Sequence, residues 1–152
     1  MSRYNLSPTL NKNRIFILQK SELEKRLDPF YYVPELLELE KKVLAKKPKK
    51  LRDYVVSLAS GATPKTTESE KYLKRSQDLA ADLLVRITGA GRMAIASVAP
   101  ENFEGNINQH VCVIRTGSKE ISETLAAFLN SDIGEKLASR RSTGGTDRKS
   151  VV

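Results

Sequence analysis

Three groups of residues have types and spacings that bear on chemistry. The first is "TGAGRMAIASVAP" (88–100), where Gly89, Gly91 and Arg92 follow the apolar run "DLLVRI". A glycine pair before an arginine can cradle phosphate, but a dinucleotide fingerprint needs G-x-G-x-x-G between a strand and a helix. Ala94 stands at the third glycine position, and the strand-like "MAIASVA" follows it. No G-x-x-x-x-G-K run occurs either. The spacing therefore predicts a tight connection between two strands, with glycine supplying positive φ.

The second group is His110 and Cys112, the sole histidine and the sole cysteine. Two positions apart on a strand, they would share a face. A thiol–imidazole nucleophile is one reading; a packed cysteine beside a hydrogen-bonded histidine is the favoured one. One cysteine excludes an internal disulfide, and one histidine leaves too few soft ligands for zinc. The carboxylates are scattered among lysines and read as solvated faces, so no enzyme active site is visible. A reducing cytoplasm is the expected setting.

The third group is a set of polar turns: "SGATPK", "TGAGR", "GNINQH" and "RRSTGGT". Asn and Gln can pair bidentately with adenine and Arg with guanine, while Thr, Ser and backbone N–H groups suit phosphate oxygens. The same residue types also make ordinary turns.

Charge narrows the choice. The net charge is +8, yet residues 1–40 hold six basic and six acidic side chains, and residues 53–152 hold thirteen and twelve. The rest of the positive charge lies in "KKVLAKKPKKLR" (Lys41–Arg52), readable as a solvated helix end or as an arm near phosphates. An apolar fraction of 39% and a charged fraction of 29% suit a globular chain with a core of its own. No apolar run approaches the roughly 18 residues of a membrane span, and the N-terminus lacks the apolar stretch of a secretory signal, so no membrane partner is expected.

These groups need elements to position them. Residues 1–13 show no periodicity and read as a flexible end. "RIFILQK" (Arg14–Lys20) has strand length. Ser21 and Glu24 have capping-box spacing, and Pro34 suits a first helical turn. From Pro34, Leu36, Leu39 and Val43 share a helical face with Leu37 and Leu44 alongside, and Pro48 ends that helix. "LRDYVVSLASGATPKTT" (Leu51–Thr67) reads as a strand, a turn at Ser60–Gly61 and an extended Thr63-Pro64. Glu68–Ala81 has helix-favouring composition. Strands follow at Asp82–Thr88, with Leu84 or Val85 inward, at Arg92–Pro100 and at Ile107–Thr116. The last element is helical, with Ile121, Leu125, Phe128 and Leu129 as its stripe, a break at Asn130–Asp132, and Ile133 and Leu137 resuming the pattern. After it, "TGGT" reads as a flexible turn. Without regular βαβ alternation, the expected class is α+β: a small mixed or antiparallel β core, an N-terminal helix and a closing C-terminal helix.

In this order the motifs resemble the target-recognition domain of specificity (S) subunits of type I restriction–modification systems, and the related domains fused to some modification methyltransferases. The resemblance is carried by "RLDPFYYVPEL", "LRDYVVSLASGATPK", "DLLVRITGAGRMAIASV", "GNINQHVCVIR" and "TLAAFLNSDIGEKLASRRSTGGT", within residues 14–146. It implies sequence-specific binding of double-stranded DNA by a non-catalytic domain without a cofactor. Such a domain reads one half of a split target and directs partner adenine-methyltransferase (modification) and nuclease (restriction) subunits. Lysines and arginines in loops, among them Lys65, Arg92, Arg140 and Arg141, would position phosphates. Thr66, Asn106, Asn108 and Gln109 are candidates for polar contact to DNA or for turn structure.

The chain departs from the family in three places. The stretch between S-G-x-T-P and "DLLV" is shorter than usual. The closing helix is not followed by the family's further strand and long helix, so a truncated domain is expected. The tail Asp147–Val152, "DRKSVV", does not resemble the family and matches what a common sequencing adapter encodes in one frame; it is expected not to be native coding sequence. Two other readings stand beside this one. One is a module docking on a methyltransferase through Lys41–Arg52 and the closing helix, without DNA specificity of its own. The other is a small thiol enzyme using Cys112 and His110.

Overall fold

Leu83 and Val85 are buried at alternating positions, the period of two of a strand with a covered face, whereas Cys112, Val113 and Ile114 are buried in succession, as a strand covered on both faces requires. A computed structural model, which describes residues 6–24, 26–61, 77–78, 81–89, 91–143 and 149–150, gives the chain an α+β fold. It comprises two compact units, Met1–Pro48 and Lys49–Val152.

The second unit is built on a four-stranded antiparallel sheet. Its strands are β1 (Val55–Ser60), β3 (Leu83–Arg86), β4 (Ala96–Val98) and β6 (Val111–Thr116), in the order β1-β6-β3-β4. Gln77–Asp78 (β2) pairs with Glu104–Gly105 (β5), and Ser142–Thr143 (β7) with Lys149–Ser150 (β8). Two rows cross one face of the main sheet: Leu58–Ile114–Leu83–Val98 and Ser60–Cys112–Val85–Ala96. Helix α2 (Lys119–Asn130) packs over β4, β3 and β6 on this face, with Ala126 in the buried cluster. Each fully buried side chain of Leu or Val size contributes about 1.5–3 kcal/mol. The other face holds a smaller cluster of Ala99 and Val113 with Leu84 and Ile107. There the buried Asp82 carboxylate accepts two bonds from Arg115, at 3.0 and 2.7 Å, which offsets the cost of burying its charge.

Helix α2 breaks where the asparagine and serine stand. Ser131 Oγ accepts from Gly134 N at 3.1 Å and so caps α3 (Asp132–Arg141). Phe128 does not join the stripe expected of it: it is exposed, and the small Ser122 and Ala126 face inward instead. Small residues there let the helix approach the sheet closely.

In the first unit, Pro34 opens α1 (Pro34–Ala45) as its fixed φ allows, and the helix stops before Pro48. Tyr31 and Tyr32 are buried edge to face, 5.0 Å between centroids, with the Arg26 guanidinium 4.7 Å over Tyr31. The strand expected at Arg14–Lys20 does not form: turns occupy 12–15, and Ile15 and Ile17 are exposed beside an apolar hollow. The capping box expected at Ser21 is also absent. Glu24 instead bonds both tyrosines, accepting from Tyr31 Oη at 2.6 Å and donating its N–H to Tyr32 Oη at 2.8 Å.

Candidate nucleic-acid interface

Antiparallel pairing decides which loops meet. Ser60 at the end of β1 pairs with Cys112, and Arg86 at the end of β3 pairs with Val111 at the start of β6. Gly61, Thr88 and Asn106–His110 therefore gather at one end of the sheet, joining the starts of three of the four polar motifs. The β3–β4 connection lies at this end too. It is a strand connection, as the missing third glycine implied, with Gly89 at φ 108° and Gly91 at φ 91°.

Main-chain bonds lock the cluster. Gly61 N donates to Val111 O at 3.2 Å, and Ile87 N to His110 O at 2.9 Å. Asn108 shapes its own turn, its Oδ1 accepting from His110 N at 3.0 Å. Gly61 is required by contact: a Cβ there would lie 2.1 Å from Ile107 O.

On this frame stand polar side chains. Asn106, Asn108, Gln109 and His110 are exposed. The His110 ring bridges two motifs, its Nδ1 hydrogen-bonded to Thr88 Oγ1 and its Nε2 lying 3.2 Å from the Gln109 amide nitrogen. The imidazole thus orients the Gln109 amide. A carboxamide carries both a donor and an acceptor, the pattern that matches the edge of adenine.

The other expected residues divide. Lys65 and Thr66 lie outside the described residues. Arg92 is not directed outward as a phosphate contact would be. Its Nη2 donates to Leu129, Asn130 and Ser131 carbonyls at 3.3, 2.5 and 3.4 Å, and Nη1 lies 3.4 Å from Glu135. The negative end of the α2 dipole holds it there. Arg140 is corrected likewise: at 1% exposed, its guanidinium is enclosed in the fold and cannot meet a phosphate. Arg141 is exposed but lies elsewhere, beside Lys50 and Arg52.

The favoured reading of a packed cysteine and a hydrogen-bonded histidine holds, although the two do not share a strand face. His110 precedes β6 in an exposed turn, while Cys112 is buried in the main cluster, where desolvation pushes its thiol pKa up. A buried, protonated thiol is a poor nucleophile. Among the described residues, no group of three or more His, Cys, Asp or Glu could hold a metal ion, and no helix is long and apolar enough to cross a membrane. Thr88 is the site residue that sequence reasoning passed over, and His110 was weighed there only beside Cys112, although both stand inside the motifs "TGAGR" and "GNINQH". No protein-family model matches the chain, and no curated protein matches it.

Proposed function

We propose that the chain is a non-catalytic recognition domain that reads a short stretch of double-stranded DNA. In that role it serves as the target-recognition domain of a type I restriction–modification specificity subunit, in the cytoplasm. The single observation supporting this reading is the convergence of Gly61, Thr88 and Asn106–His110, with exposed carboxamides on a frame locked by main-chain bonds. Asn106, Asn108 and Gln109 contact base edges, His110 and Thr88 orient Gln109, and Lys65 and Thr66, a few residues beyond Gly61, contact phosphates. The remaining lysines supply long-range attraction, which makes affinity fall steeply with salt. Partner modification subunits methylate adenine and restriction subunits cut unmodified DNA; this domain tells them where.

Selection of purified chain against a pool of random duplexes at two salt concentrations tests this. Enrichment of a motif of a few base pairs at both salts is the expected result. Uniform retention that disappears at the higher salt, with no motif, would show phosphate attraction without reading and overturn the proposal.

A further inference from the structure

Helix α2 covers β4, β3 and β6, and the same face of the sheet continues onto β1. There Leu58, in the row of Ile114 and Leu83, remains 55% exposed. It floors an open groove of about 920 Å³ with Leu51, Val55 and Leu137. Around these apolar residues stand Lys50 and Arg52, with Arg141 beside them, and among the described residues no carboxylate belongs to the lining. The groove is distinct from the loop cluster. It lies toward the opposite end of β1 from Gly61, and at roughly 3.3 Å per residue those ends are about 20 Å apart.

Two features say what fits. The cations Lys50 and Arg52 beside an apolar floor complement a ligand that alternates carboxylates with apolar side chains. In addition, β1 is the edge of its sheet, and no strand among the described residues pairs with its outer side. Outward N–H and C=O groups of an edge strand bind an added extended segment through main-chain hydrogen bonds, with alternate side chains entering the neighbouring pocket. A single-chain fatty acid meets the first feature and not the second. Duplex phosphates match the cations but leave Leu58 and Leu137 uncovered.

We propose that this groove and the β1 edge dock an extended, acidic segment of a partner protein, which adds a strand beside β1 and places an apolar side chain on Leu58. The inference does not rest on the DNA-reading proposal. Its test is selection from a displayed library of random twelve-residue peptides against the whole chain. The enriched peptide is then synthesised and its affinity measured for the parent and for Leu58→Asp and Arg52→Glu.

The expected consensus alternates Glu or Asp with Leu, Ile or Val. Its affinity should fall at least tenfold in each variant and weaken with added salt. Thermal melts establish that the variants fold; if either does not, Leu58→Ser and Lys50→Gln, both at exposed positions, take their place. Absence of an enriched peptide, a consensus without acidic residues, or binding indifferent to both substitutions would overturn the proposal. So would loss of random-duplex retention in Leu58→Asp when no peptide is enriched, which would make the groove a DNA surface. A failed duplex selection leaves this test untouched, so the two proposals fail separately.

Discussion

His110 carries more of the candidate site than its place in the sequence suggests. Read as a residue type, it invited comparison with Cys112 two positions on, because a strand of period two would put them on one face. The strand begins one residue later, and the ring turns instead to Thr88 and Gln109. That pairing spans 22 positions, and local spacing carries no information about it. Gly61 was legible as a turn residue, but the reason for it, the carbonyl of Ile107 where a Cβ would sit, is tertiary. Gly61→Ala should therefore destabilise by about 1–3 kcal/mol, the range of a forced steric shift, read from thermal melts. Cys112 gives a pH test. Its folded pKa is raised by burial, so the unfolded chain releases the proton first. Stability should fall as pH rises above about 8.5, the ordinary thiol range. Cys112→Ala should lack that part of the slope in denaturant titrations repeated across pH.

At the level of elements, punctuation was readable and partnership was not. Pro34 starts α1, and Asn130–Asp132 marks the corner between α2 and α3, because proline and small polar side chains act through local backbone. "RIFILQK" has strand composition, but a strand exists only where a ladder receives it, and none does at those residues. Arg92 illustrates the same limit: a loop arginine suggests phosphate until the α2 C-terminus lies beneath it. Two expectations belong here. Asn130 side-chain atoms bond both the N–H and the C=O of Ala96, at 3.0 and 2.8 Å, clasping β4 to the end of α2. Asn130→Ala should cost about 1–3 kcal/mol, since two main-chain groups lose their partners. Arg92→Ala should lower the melting temperature through the lost cap while leaving the salt slope of duplex binding unchanged. A reduction of that slope by about one would return Arg92 to the phosphate contacts.

For the whole molecule, the antiparallel order β1-β6-β3-β4 turns dispersed polar motifs into one surface. The α+β class was legible, because strand-length runs and helical stripes alternate irregularly along the chain. The strand order was not, because the partners of β6 lie far from it in sequence. The sequence located the excess charge in Lys41–Arg52 but not its place in the fold: within the second unit, Lys50, Arg52 and Arg141 line the groove at β1 and lie apart from the loop cluster. The central claim is that exposed carboxamides on the cluster read bases. It is tested most directly by running the random-duplex selection in parallel for the parent chain and for Gln109→Ala, at one salt concentration and with folding checked by circular dichroism. The expected result is a motif in the parent that relaxes at one position in the variant, with each lost base contact worth about 1–3 kcal/mol. An identical motif from both chains, or none from either, would contradict the claim.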